Sequence, residues 1–455
     1  MERNGGRTRV AILVAILLLG LGLRVREAWD GRAPVFDAAA YAKIAANLDE
    51  GNGFTVGPSA TQPSSNYSPG VPLVVAGIYG LTGGVHERTA RIVLALIGTL
   101  SVLFAYLIGR RLSGSAAGLT GAGAVAIYLA LLEYQGMLMG EPLAATLLSG
   151  AVLATLWSQG RSFSARGSCH GAGGPAGSPR AVLDPPAPRH PRVRWLIPGA
   201  LFGCLILVRP EYLGVVLLVS LVVLLGETRE NWSRTLVPAL VLLVGTAVVV
   251  VPWTVRNAVA LDRVVPVSTG GGQVLFAGTY LPSDGNPERV GAEVVERHPE
   301  LFGPGAVERL RLEQILARLA AQRYPGVETD KALSRMGREQ LWDDVSEEPL
   351  EYAGFAAKKV ARIWLHGPRD VMREPGWEVF HWLLLCLGLV GLVVLAKQRR
   401  WEALLLATIF VAITAISALL VASPRRVLVL MPLVAALAGV GTVALYEAWQ
   451  QRIRH

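Results

Sequence analysis

Long apolar runs recur from one end of the chain to the other, separated by short polar or basic stretches, and their lengths set the first expectation. Runs at 10–26, 90–109, 115–133, 138–158, 195–208, 212–226, 235–252, 379–396, 402–421 and 427–446 predict about ten transmembrane helices, because about 20 apolar residues cross a ~30 Å hydrocarbon layer. Two stretches interrupt them. Residues 159–194 are rich in Gly, Pro, Ser and Arg and lack apolar periodicity, which predicts a flexible cytoplasmic linker. Residues 253–378 carry nearly balanced charge and helix-period segments such as "AVERLRLEQILARLAAQRY" and "PLEYAGFAAKKVARIWLHG", which predict a small, mainly helical extracytoplasmic segment. The second of these holds Phe355, Trp364 and two lysines, a pattern that suits a helix lying on the membrane surface. The organisation is thus a membrane module over 1–252 with outer loops at 27–88 and 133–141, the segment 253–378, and C-terminal membrane helices over 379–455.

Composition agrees with a polytopic α-helical membrane protein: 52% of the residues are hydrophobic and 17% charged. In a soluble chain a net charge of +9 would point to nucleic acid, but here the basic residues sit mostly in short loops. They report topology, and no nucleic-acid partner is expected. Arg3, Arg7 and Arg9, Arg110 and Arg111, the 159–194 stretch, Arg229 and Arg234, Lys397, Arg399 and Arg400, and Arg452 and Arg454 share one side if every run crosses. Both termini should then be cytoplasmic, with the first run an uncleaved anchor. Cys169, Cys204 and Cys386 lie far apart without metal-type spacing, and no structural disulfide is expected. Arg-rich, Lys-poor usage with abundant Ala, Val and Gly suggests a GC-rich bacterial genome and hence an inner membrane.

Several polar residues fall where a membrane chain would not place them without cause. Asp37 follows the first apolar run and opens an amphipathic stretch with Ala38, Tyr41, Ile44, Ala45 and Leu48 at helical spacing. Its plainer role is a helix N-cap, and capping is compatible with contact to something at the interface. Glu141 precedes Pro142, which favours the first turn of a helix; the positive end of the helix dipole there favours a carboxylate. A cap is again the alternative, with Glu133 as a competing acid. Arg256 and Asn257 lie just beyond the seventh run, where an arginine can be an interfacial anchor or meet a lipid phosphate. Arg209 in "RPE" is flanked by runs of roughly fourteen residues, about 21 Å each and short of a full crossing. At such a depth it either pairs with Glu211 or faces a polar groove. Arg425 and Arg426 occupy the turn between the last two runs, on the face where positive-inside bias disfavours arginine; they either anchor the turn or meet an anion. His86, His298, His366 and His381 show no ligand spacing, so no metal-binding residue is assigned. "STGGGQ" at 268–273 lacks the lysine and strand-to-helix setting of a P-loop and reads as a turn that allows close backbone approach.

The order Asp37, Tyr41, Ala45, Leu48, Gly51, Gly53 and then "QPSSNYSPGVPLVVAGIYGLTG" resembles the first luminal loop of the glycosyltransferase family 39 and aminoarabinose-transferase group, which includes protein mannosyltransferases and has the membrane-embedded GT-C fold. "VPWTVRNAVALDRVVPVSTGGGQVLFAGT" at 251–279, "LVRPE" at 207–211 and the late "SPRRVLVLMPLVAAL" resemble further segments of that group. The resemblance covers most of the chain apart from 159–194 and much of 280–345. It implies sugar transfer from a polyprenyl-phosphate-linked donor to an acceptor hydroxyl of a glycolipid, polysaccharide or protein on the extracytoplasmic face. Inverting transfer of that kind needs a carboxylate to take the acceptor proton while the sugar carbon is attacked opposite the leaving phosphate. Asp37 matches the group's essential acid, ahead of Asp30 and Asp49, and Glu141 supplies the second acid expected in the next outer loop. Arg256 is the first expectation for the donor phosphate, with Asn257, Arg209, Arg425 and Arg426 beside it, while Tyr41, Lys43 and Tyr67 complete a donor or acceptor pocket. A divalent ion near the site, found in some relatives, stays open.

A transporter or flippase for a lipid-linked sugar is the competing class. Such proteins usually carry internal repeats and interrupted helices at matching positions in two halves, and neither is evident in the chain. A non-catalytic scaffold is the third reading, under which Asp37, Glu141 and Arg256 would be free to vary.

Overall fold

The computed structural model describes residues 2–31, 33–35, 37–57, 63–160, 192–225, 232–303 and 305–454. Nearly all of the 159–194 linker, with Cys169, lies outside the described residues. The chain opens with α1 (Glu2–Trp29), and the first outer loop then folds into α2 (Asp37–Asp49) and α3 (Gly70–Thr82), which pack on each other. In α2 the residues Ala38, Ile44 and Ala45 turn inward and Lys43 outward, as the amphipathic pattern predicts. α4 (Glu87–Ser113) crosses beside α1, and α5 (Ser115–Ile127) packs against both.

The third apolar run does not form one straight helix. After Ile127 the chain breaks at Tyr128 and continues as α6 (Leu129–Glu133), bent by 53°. Arg24 of α1, fully buried, donates to the carbonyls of Val125 at 3.1 Å and Ala126 at 3.4 Å, groups that an interrupted helix leaves without partners. A second buried chain of hydrogen bonds holds the break from the other side. His381 Nε2 lies 2.8 Å from the Trp364 carbonyl, which can only accept, so that nitrogen carries the proton and Nδ1 accepts from the Tyr128 hydroxyl at 2.8 Å.

Beyond the break, α7 (Glu141–Ser158) starts with Pro142 in its first turn. α8 (Leu196–Val208) and α9 (Tyr212–Leu225) are short and meet at the Arg209–Glu211 joint, while α10 (Trp232–Leu261) is long. The 253–378 segment carries the helices α11 (Gly271–Thr279), α12 (Val290–Arg297), α13 (Ala306–Arg309), α14 (Leu312–Arg323), α15 (Thr329–Glu347) and α16 (Pro349–Leu365). Most of them gather around Phe276, Val290, Val294, Ile315, Leu316 and Leu333, a core separate from the membrane bundle. The bundle closes with α17 (Pro375–Lys397), α18 (Trp401–Leu419), the single turn α19 (Arg425–Leu428) and α20 (Met431–Arg454). α17 and α20 touch backbone to backbone: a β-carbon on Gly391 would collide with the Leu437 carbonyl, and one on Gly441 with that of Leu387.

All ten expected runs fall on helices, and no strand occurs among the described residues. Six helices, α1, α4, α10, α17, α18 and α20, are long and apolar enough to cross a membrane alone, and the bent α5–α6 pair adds a seventh. α8 and α9 are shorter apolar helices, as the lengths around "RPE" predict. One expectation is corrected. The apolar stripe of α16, Phe355, Lys359 and Ile363, is buried within the protein, and Trp364 donates to Thr414 Oγ1 of α18 at 3.0 Å while packing edge-on against Phe410. Protein, not lipid, covers that stripe.

Candidate active site

The first turns of α2, α7 and α19 and the α8–α9 joint bring three carboxylates and three guanidiniums together. Glu141, fully buried in the first turn of α7, receives a hydrogen bond from Arg209 at 2.5 Å, while its other oxygen has no partner. Arg209 occupies the break after α8 in extended conformation and also lies 3.9 Å from Glu211. Glu211 in turn faces Arg426 at 3.7 Å, and Arg426 donates to the Val421 carbonyl. Arg425, next in chain to Arg426, reaches across to Asp37 at 3.4 Å.

Exposure separates the pairs. The side chains of Asp37 and Arg425 are 49% and 40% exposed, against 0% and 23% for Glu141 and Arg209 and 14% and 11% for Glu211 and Arg426. Asp37 and Arg425 therefore form the accessible end of the set and the other four its buried support. A separation of 3.4 Å between half-solvated charges is a weak contact that an incoming anion can replace.

Tyr41, one turn after Asp37, stands between these groups. Burial pushes its phenol above the ordinary range; Arg209 opposes this, and Asp37, Glu141 and Glu211 add to it. Tyr67 meets Tyr41 edge to face at 6.0 Å between ring centroids, and its phenol is also pushed up, by burial and then by Glu313 and Asp37. Glu313, at the start of α14, therefore lies within electrostatic reach of Tyr67. Lys43 is exposed on the outer side of α2, and no contact joins it to the cluster among the described residues.

Arg256 and Asn257 have other partners. Arg256 donates to the carbonyls of Ser64 at 3.1 Å and Phe54 at 3.4 Å and to Asn257 Oδ1 at 3.1 Å, and it lies over the rings of Phe54 and Trp253. Asn257, fully buried, donates to the carbonyls of Val265 and Val267 at 3.0 Å each. The two tie the first outer loop and the turn after α10 to the end of that helix. The "STGGGQ" turn joins the same tie: Thr269 N–H donates to Ser65 and its hydroxyl to Asn66 Oδ1, and Gly270, at φ 96°, makes the corner before α11. Glu133, the competing acid, receives a bond from Arg369 at 2.8 Å and lines a separate cleft with Glu27 and Asp30.

Sequence reasoning weighed Glu211 only as a partner for Arg209, yet it faces Arg426 as well. Its signal was an acid two residues from a membrane-depth arginine. Tyr212 went unnoticed: it is buried, its hydroxyl has no partner, and it adjoins Glu211, Arg209 and Arg426. Each of the three carboxylates faces a guanidinium, and among the described residues no three His, Cys, Asp or Glu side chains are placed to hold a metal ion together.

No protein-family model matches the chain, and no curated protein matches it in sequence. Solved structures do. The oligosaccharyltransferase of Archaeoglobus fulgidus in its apo form aligns over 98% of this chain and 52% of its own, with a TM-score of 0.54 at 14% identity. The same enzyme in complex with zinc and sulfate aligns over 97% and 50%, with a TM-score of 0.55 at 13% identity. ArnT of Cupriavidus metallidurans bound to undecaprenyl phosphate aligns over 97% and 78%, at a TM-score of 0.37 and 16% identity. The chain spans about half the length of the archaeal structures. Aligned over nearly its whole length, this multi-pass membrane protein has the GT-C fold of the archaeal oligosaccharyltransferase.

Proposed function

We propose that the protein is a membrane glycosyltransferase that moves a sugar from a polyprenyl-phosphate-linked donor to an acceptor hydroxyl on the extracytoplasmic face, with inversion. The observation that carries this reading is the accessible Asp37–Arg425 pair backed by buried charges. Asp37 takes the acceptor proton as the new C–O bond forms, and the bond between the sugar carbon and the phosphate oxygen breaks on the opposite face. Arg425 receives the developing charge on the departing polyprenyl phosphate, with Arg426 and Arg209 behind it. Glu141 and Glu211 hold those two arginines; Tyr41 and Tyr67 wall the pocket. The archaeal relative in fold has been solved with a dolichol phosphate and an inhibitory peptide, a lipid phosphate and a polypeptide of the two classes the reading requires. The setting is a bacterial inner membrane with both termini cytoplasmic, in line with the distribution of basic residues.

The test is transfer from a panel of polyprenyl-phosphate sugars by wild type and Asp37→Asn. The amide keeps the size of the side chain and an oxygen able to cap α2, so folding should persist while transfer falls by roughly 10² to 10⁴. Wild-type turnover in the Asn variant would reduce Asp37 to a cap.

A further inference from the structure

Lys359 sits within the apolar stripe of α16, one turn from Phe355 and one from Ile363, and is only 1% exposed. A buried ammonium needs acceptors. It donates to the Gly278 carbonyl at 2.6 Å, at the end of α11, and to the Ala418 carbonyl at 2.5 Å, in the last turn of α18, with the Phe355 ring 5.0 Å away. Ala418 leads into the α18–α19 joint from which Arg425 and Arg426 project, and Gly278 packs on that joint. Gly278 is packed on the backbone of Leu420 and Val421 so closely that a β-carbon would collide with it. The next carbonyl along, Val421, is held by Arg426.

We propose that Lys359 is a positioning residue for the site: by tying α16 and α11 to the α18–α19 joint it sets Arg425 opposite Asp37 and Arg426 opposite Glu211. The inference deepens the reading of Asp37 and Arg425 given above and rests on it for its functional meaning. Among the described residues, Arg426 is the charged group that acts on the ammonium. α11 and the end of α18 offer it carbonyls; Asp284, in the turn after α11, is taken by Lys358; and Asp344 of α15 acts on Tyr352. Burial, and then Arg426, push Lys359 down to about 7. An anion arriving on Arg425 and Arg426 offsets that repulsion and favours the ammonium, which also holds its carbonyls more strongly than the amine does. Anion binding above about pH 7 therefore takes up a proton, and affinity falls as pH rises through that range.

Two measurements test this on the full-length protein, with wild type, Lys359→Met and Lys359→Arg. In the first, Asp37→Cys and Arg425→Cys are combined in a chain freed of its native cysteines and joined by a short bis-methanethiosulfonate. Yield should drop severalfold with Lys359→Met and recover in part with Lys359→Arg; equal yields in all three overturn the proposal whatever the protein catalyses. In the second, binding of a farnesyl phosphodiester, whose single charge does not titrate here, is measured at pH 6 and pH 8.5. Wild-type affinity should fall by about tenfold and Lys359→Arg should be flat, its cation being permanent. A Lys359→Met variant with the wild-type pH profile overturns the proposal. Should wild type bind no phosphodiester, the reading of the site as a glycosyltransferase fails, and the crosslinking result alone decides whether Lys359 positions the joint.

Discussion

Arg209 and Glu141 meet at 2.5 Å although the whole of α7, the stretch after it and α8 separate them in the chain. The pair stands where α7 begins and α8 ends, so one contact fixes two helix termini and the depth of the site.

Breaking it should therefore be costly. Glu141→Gln leaves a guanidinium without its main counter-charge, and stability is expected to fall by about 3 kcal/mol, with Arg209's partial exposure keeping the loss near the low end of buried pairs. Replacing both residues by leucine should return much of that stability. Thermal unfolding of the two variants in detergent checks this; a Gln variant as stable as wild type would show the pair to be energetically idle.

Arg425→Ala should raise the donor KM far more than it lowers stability, since the residue is half exposed and its ion pair with Asp37 is weak. Arg425→Lys should recover part, as a point charge lacks the planar fork that matches phosphate. Donor titrations with both variants measure this, and an unchanged KM in the Ala variant would remove Arg425 from the phosphate.

Arg256→Ala is expected to behave in the opposite way. Its side chain satisfies the carbonyls of Ser64 and Phe54 and is covered by two aromatic rings, so its loss should lower the melting temperature by the equivalent of about 2 kcal/mol. Donor affinity per folded molecule should change little. A selective loss of donor affinity at full stability would restore Arg256 to the phosphate site.

The depressed Lys359 makes a signed prediction about stability. Its proton is lost near pH 7 in the folded protein and near the ordinary 10.5 in the unfolded chain. Between these values the unfolded state binds more protons, so stability should rise with pH across that window. Subtracting the pH dependence of Lys359→Met from that of wild type isolates the contribution; a zero difference contradicts the burial of the charge.

Sidedness can be read by thiol labelling. Ser346→Cys in α15 and Gln398→Cys after α17 both fall on exposed positions, and an impermeant maleimide should reach the first from outside and the second only from the cytoplasm. Labelling of both from one side would overturn the topology.

The membrane helices were legible because hydropathy is a local property. Even the shortness of α8 and α9 and the unusual depth of Arg209 could be read from residue counts. The break at Tyr128 was not, since what stabilises it is Arg24 from a different helix. Lys359 misled for a related reason: an apolar stripe at helical spacing looks the same whether lipid or protein covers it. The lysine inside the stripe was the one hint that carbonyl acceptors would be waiting. Asp37, Arg209, Arg425 and Arg426 were each legible as charges out of place, but which cation meets which carboxylate depends on contacts spanning up to 388 positions, and no local pattern encodes that. Arg256 was drawn toward phosphate by its place at a helix end, whereas its partners are backbone carbonyls in the first outer loop.

Arg425 and Arg426 are neighbours on one turn, yet they answer carboxylates from the first outer loop and from the joint after α8. A nascent chain therefore carries Asp37 through most of its synthesis, and Glu211 through nearly half of it, before either of these two cations emerges from the ribosome. If the site works as proposed, it is completed only when the α18–α20 hairpin enters the membrane, and a chain that has not reached that step could not transfer sugar.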